Sequence, residues 1–96
     1  MYGTIFNLKV KSGHHESLLR LLGEEQAKPK GMKAFFVMDP DNTDEWVGIV
    51  IFENKEAYIA NAQSPEQHDR FLKIMEHLES EPKWTDGTYI FSETTN

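Results

Sequence analysis

Trp46-Val47-Gly48-Ile49-Val50-Ile51-Phe52 is apolar on both of its faces when laid out as a strand. Side chains alternate across a strand, so Val47, Ile49 and Ile51 share one face. Trp46, Val50 and Phe52 share the other, with a gap at Gly48. The rest of the chain holds enough helix to cover one side of a sheet, so the second apolar side requires another subunit. Assembly is more legible in this stretch than chemistry.

Working outward, Asp39-Pro40-Asp41-Asn42 reads as a turn, and Met32 to Met38 as the strand before it. Gly3 to Val10 suits a first strand with Phe6, Leu8 and Val10 on one face, and Ser12-Gly13 turns the chain. Leu18, Leu19, Leu21 and Leu22 form a helical stripe, which predicts a helix from His15 to about Ala27, stopped by Pro29 and Gly31. Asn54 is an N-cap for a short helix through Asn61. Ser64-Pro65-Glu66-Gln67 restarts helix, with Ser64 as N-cap, Pro65 at the first position and Gln67 completing a capping box. His68, Phe71, Leu72, Met75 and Leu78 are read as its buried face, Pro82 as its stop, and Trp84 to Phe91 as a fourth strand.

The order β-α-β-β-α-β is an α+β, ferredoxin-like split: one domain over residues 1–96, with a four-stranded antiparallel sheet and both helices on one face. Such a plan leaves one side of Trp46–Phe52 bare, and two copies packing sheet to sheet as a homodimer would bury it. At 39% hydrophobic and 27% charged, the chain is too apolar for disorder, and at 96 residues it is small enough to gain stability from association. A net charge of −6 argues against nucleic acid and anionic membrane surfaces as partners. The absence of cysteine excludes disulfides, thiolate nucleophiles and thiolate metal sites. Met1-Tyr2-Gly3-Thr4-Ile5 lacks the basic region and long apolar run of a secretory leader, so a cytoplasmic protein is expected.

The strand and helix order, Val10-Lys11-Ser12-Gly13 ahead of the first helix and Ile51-Phe52-Glu53-Asn54-Lys55-Glu56-Ala57-Tyr58 together resemble the antibiotic biosynthesis monooxygenase family of dimeric α/β barrels. The resemblance covers nearly the whole chain and is fold-specific more than reaction-specific. It implies a homodimer with a pocket in each subunit between helices and sheet. It also implies chemistry without metal or flavin, in which a hydroquinone-like substrate is deprotonated and its anion reacts with oxygen directly. The polyketide-oxidising branch uses an asparagine and a tryptophan on strand three, a tyrosine in the next helix and an arginine. Here the tyrosine matches Tyr58, the asparagine falls on Gly48, the tryptophan on Phe52, and Arg70 lies close to the arginine but out of register. The haem-degrading branch uses an asparagine on strand one and a tryptophan and histidine later. Phe6 takes the asparagine's place with Asn7 turned to the other face, Asn61 the tryptophan's, and His68 lies about a turn early, so haem degradation is disfavoured.

His68 and Tyr58 are the candidate catalytic residues. A neutral imidazole near a helix N-terminus can accept a phenol proton, and a tyrosine hydroxyl can bind a ligand oxygen. The expected ligand pocket is lined by Phe6, Trp46, Phe52, Asn61, Phe71 and Met75. The bland readings are a boundary histidine and a packed tyrosine. Asp39, Asp41, Asp44 and Glu45 lack the spacing and glycine of a calcium loop and read as a solvated hairpin. His14 and His15 project differently and His77 lies far along the chain, so no metal site is expected, and the resemblance implies no cofactor. Two functions follow: a cofactor-independent monooxygenase acting on a small aromatic or quinol-like molecule, and a non-catalytic dimeric barrel that binds a small molecule.

Overall fold

The computed structural model describes residues 1–24 and 28–95. Its elements are β1 (Tyr2–Leu8), α1 (His15–Leu22), β2 (Met32–Met38), β3 (Trp46–Phe52), α2 (Lys55–Ala62), α3 (Pro65–Met75) and β4 (Trp84–Thr88). The four strands form one antiparallel sheet in the order β2-β3-β1-β4, the ferredoxin-like α+β plan expected from the sequence. No helix among the described residues is long and apolar enough to cross a membrane.

The opening heptad decides which side the helices take. Trp46, Val50 and Phe52 are buried with Phe6, Leu8, Val10, Leu18 and Leu78 in a single core. Val47, Ile49 and Ile51 therefore lie on the bare side, in rows with Ile5 and Phe36 through Ile49, and with Met38 through Val47. The contrast is large for chemically equal residues: Phe52 is 1% exposed and Phe36 60%. Gly48 is required by close approach, because a Cβ there would stand 2.3 Å from the Phe6 ring. Gly13, at φ 81°, supplies the left-handed turn into α1.

Several boundaries differ from the sequence reading. Leu18 is fully buried while Leu19 is exposed, and α1 ends at Leu22 on Gly23; the Glu25–Ala27 part of the expected helix lies outside the described residues. Val10 stands beyond β1 but forms a bridge with Leu78, flanked by Lys11 N–H donating to His77 O (2.8 Å) and Glu79 N–H to Lys9 O (2.8 Å). Ser64 Oγ accepts from Gln67 N–H at 3.1 Å. The capping box is nevertheless only half made, since the Ser64 N–H donates to Asn61 O.

The inward face of α3 is rotated from the expected stripe. Gln67, Arg70 and Ile74 turn toward the sheet, whereas His68 and Leu72 are exposed. The aliphatic stem of an arginine covers apolar surface as well as a leucine does, which hydrophobicity alone misses. α3 also stops at Met75, well short of Pro82, where hydrogen bonds to Ile74 O and Met75 O tighten the last turn. β4 ends at Thr88 rather than Phe91 because its partner runs out: Tyr89 N–H donates to Met1 O, and Ile90 and Phe91 beyond it are 95% and 78% exposed.

Candidate functional site

Between the helices and the covered face of the sheet lies a cavity of about 360 Å³. That size belongs to small-molecule sites, which combine an apolar lining with a few convergent polar groups. Its floor comes from all four strands: Thr4, Phe6 and Leu8; Met32 and Phe35, on either side of an irregularity in β2; Val50 and Phe52; Trp84 and Asp86. Its roof is Tyr58, Asn61 and Ala62 from α2 and Gln67, Arg70 and Ile74 from α3. Asn54, whose side chain accepts the Ala57 N–H at 2.8 Å, and Ser64 fix the starts of these two helices and so aim their roof residues. A second hollow, lined among others by Lys30, Ser64 and Glu66, shares Asn61, Gln67 and Arg70 with the first. Those three polar residues therefore stand between the cavity and the outside.

Aromatic rings hold the walls. Trp84 packs on Phe6 with centroids 4.5 Å apart, and Tyr58 is wedged between Tyr2 (5.3 Å) and Phe52 (5.6 Å). The Tyr58 hydroxyl donates to Asp86 Oδ1 at 2.9 Å. Burial, then the hydrogen bond to Asp86 and its negative charge, push the Tyr58 phenol up to about 12, against a weaker opposing pull from the Thr4 hydroxyl. Tyr58 is thus a protonated phenol throughout the neutral range. The Arg70 guanidinium stands 5.9 Å from the centre of the Phe35 ring. Among the described residues it has no carboxylate partner, the one ion pair being Lys9–Glu79 at 3.9 Å. An apolar cavity holding an unpaired cation and a neutral phenol suits an aromatic ligand that carries, or can develop, an oxyanion.

Of the residues expected from sequence, Phe6, Phe52, Tyr58 and Asn61 line this cavity. His68 is exposed on α3 and does not, because the helix turns Gln67 and Arg70 inward instead. Trp46 is buried at the far end of β3, its ring 5.2 Å from that of His15. Phe71 packs on Trp84 without reaching the cavity, and Met75 packs against the core. Sequence reasoning missed Asp86, Arg70, Thr4, Trp84 and Gln67. For Asp86 the signal was available, since period two places it on the same face as Trp84.

Phe6 takes the place where the haem-degrading branch has its asparagine, and it walls the cavity. Asn7 faces away, its side chain donating to Glu45 Oε1 at 3.4 Å and accepting the Lys83 N–H at 2.7 Å. The polyketide branch's strand-three asparagine has no room, because the Phe6 ring fills the space beside Gly48. One expectation is corrected outright: His77 is distant from His14 in sequence only, and their Nδ1 atoms lie 3.1 Å apart. Even so, no group of three or more metal-ligating side chains forms among the described residues.

The chain has no match among curated proteins. Solved structures share its fold at low identity. A monooxygenase from the gene ActVA-Orf6 of Streptomyces coelicolor, in complex with nanaomycin D, superposes with a TM-score of 0.79 at 14% identity, covering 99% of this chain and 92% of that one. SnoaB, a cofactor-independent oxygenase from Streptomyces nogalater, does so at 0.72 and 11%, covering 95% and 94%. A Mycobacterium tuberculosis protein gives 0.75 and 13%, covering 97% and 98%. At such identities these likenesses carry the fold alone, but the sequence profile of antibiotic biosynthesis monooxygenases matches residues 1–73. The chain, with its split βαβ sheet and a cavity roofed by α2 and α3, belongs to the antibiotic biosynthesis monooxygenase family.

Proposed function

We propose that the protein is a cofactor-independent monooxygenase for a small hydroxylated aromatic molecule, working as a homodimer with one cavity per subunit. The observation that carries this reading is the joining of an apolar cavity of about 360 Å³ with Tyr58 and with an Arg70 that has no carboxylate partner among the described residues. A bicyclic hydroquinone suits such a space. Its hydroxyl proton passes to the Tyr58 oxygen as Tyr58 hands its own hydrogen to Asp86 Oδ1, leaving an anion that Arg70 stabilises, and the electron-rich ring then reacts with oxygen. For a dihydroxynaphthalene the balance closes without another reductant. One oxygen atom ends in a hydroxynaphthoquinone, the other in water, and the substrate supplies all four electrons that oxygen takes up. The apolar floor keeps water from competing for the anion. The cofactor-independent chemistry named for SnoaB supports this reading by family analogy.

The homodimer is proposed from the bare face, where Ile5, Phe36 and Met38 are exposed beside Val47, Ile49 and Ile51. An unpartnered patch of this kind marks an association surface.

The test is oxygen uptake with a panel of dihydroxynaphthalenes, using protein treated with a chelator and free of flavin. Uptake above the buffer background is expected, and Tyr58→Phe should slow it about a hundredfold. The same assay on His68→Ala separates the two sequence candidates. Retained turnover is expected for an exposed ring, and a hundredfold loss would move the acid–base role to α3.

One observation favours a second reading, a binding barrel without oxidation chemistry. Gly48 and Phe52 stand where the polyketide branch has polar, anion-stabilising side chains, so the part of the floor that β3 supplies is apolar. Uptake at background, with a raised melting temperature on adding the same compounds, would select it.

A further inference from the structure

Tyr58 and Asp86 are joined across the cavity wall, and hydrogen counting on this pair gives a result that neither residue gives alone. A phenol carries one hydrogen, and a carboxylate only accepts. At 2.9 Å the Tyr58 hydrogen is committed to Asp86 Oδ1. The Tyr2 and Phe52 rings on either side restrain the Tyr58 ring, and the nearby Thr4 hydroxyl spends its own hydrogen on Thr85 O at 3.3 Å, so the Tyr58 hydroxyl meets the cavity with a lone pair and not with its hydrogen.

We infer that Asp86 is a specificity-determining residue: by claiming the Tyr58 hydrogen it makes Tyr58 a hydrogen-bond acceptor, so that the site selects ligands presenting a hydroxyl and disfavours their carbonyl counterparts. This deepens the proposed function and rests on its reading of the cavity as a site for a hydroxylated aromatic. Asp86 acts through Tyr58 and is in that sense a positioning residue. The raised pKa of the Tyr58 phenol agrees with a hydrogen held in place over the neutral range. The functional consequence is directional. A hydroquinone enters with its hydroxyl donating to Tyr58, whereas the quinone formed by oxidation turns a carbonyl oxygen toward the same lone pair. Two acceptors facing each other in an apolar wall cannot both be satisfied, so product is bound more weakly than substrate. Tyr58 alone, free to rotate its hydrogen, would serve a hydroxyl and a carbonyl equally well.

The test measures binding, independently of turnover, by titration calorimetry of wild-type protein with 2-naphthol, 2-methoxynaphthalene and 1,4-naphthoquinone. Wild type should bind the naphthol about tenfold more tightly than either the ether or the quinone, the scale of one hydrogen bond. Asp86→Ala removes an exposed side chain with little risk to folding. It should bring naphthol and ether within about threefold and tighten the quinone, because Tyr58 can now donate. Tyr58→Phe should lose the naphthol preference without gaining the quinone. A merely structural role for Asp86 would weaken all three ligands together and leave their order intact. The inference is overturned if Asp86→Ala keeps the wild-type order, or if wild type shows no preference or binds none of the three. Oxygen uptake with dihydroxynaphthalenes in any of these cases leaves the oxygenase standing without this selectivity. The expected order of affinities with no uptake leaves the selectivity standing in a protein that only binds.

Discussion

The two faces of this sheet are built from the same kinds of residue and end in opposite situations. On one, Phe6, Val50 and Phe52 are closed over by helices and enclose a cavity; on the other, Ile5, Phe36 and Ile49 run in a row that no helix among the described residues covers. Their difference shows that apolar composition gives a strand two buried surfaces without saying what buries each. Packing within the chain accounts for the first. For the second we propose a second copy, a division that would give the site to one face and assembly to the other.

The largest test of that division is a charge placed on each side of β3. Val50→Asp puts a carboxylate among Phe6, Phe52 and the helices, and the subunit should lose roughly 4 kcal/mol or more and fail to fold in urea titrations. Ile49→Asp, one residue away, should leave a folded chain with an ordinary circular dichroism spectrum. Equal damage from both would erase the distinction between the faces.

A smaller effect probes how the covered face makes room for its cavity. Gly48→Asn places a side chain where the Phe6 ring stands, and overpacking of this kind costs about 1–3 kcal/mol. Combined with Phe6→Ala it should cost less than the sum of the two changes, a coupling read from a double-mutant cycle. Strict additivity would mean that Phe6 is not what keeps position 48 a glycine.

The Tyr58 phenol offers a test by pH. Its folded value of about 12 lies above the ordinary 10, so the stabilisation it brings is fully present below pH 10 and is lost as pH rises toward 12. Urea midpoints should therefore fall more steeply between pH 10 and 12 for wild type than for Tyr58→Phe. Parallel curves would mean that the phenol is not held by burial and Asp86. The smallest change concerns the roof: Ser64→Ala removes the cap of α3 and should cost about 1 kcal/mol in urea unfolding without altering assembly.

Much of this was legible along the chain. The heptad at β3, the caps Asn54 and Ser64 and the turns at Ser12-Gly13 and Asp39–Asn42 each act through near neighbours, and they specified strands, helices and order. The sequence left open which parity of β3 the helices leave bare, because that depends on where β2 and the helices settle. The site was half legible. Phe6, Phe52, Tyr58 and Asn61 follow from face and segment, but the α3 stripe was misread because Arg70 turns inward, its guanidinium 5.9 Å from the centre of the Phe35 ring. Asp86 becomes meaningful only when β4 lies beside β1 and faces Tyr58, a contact across 28 residues. The same holds for His14 and His77, brought to 3.1 Å by the bridge between Val10 and Leu78.

Sedimentation equilibrium of the wild-type protein at micromolar concentration tests the division between the faces most directly. A dimer that Ile49→Asp converts to a folded monomer is the predicted result. A wild type that sediments as a monomer would contradict it.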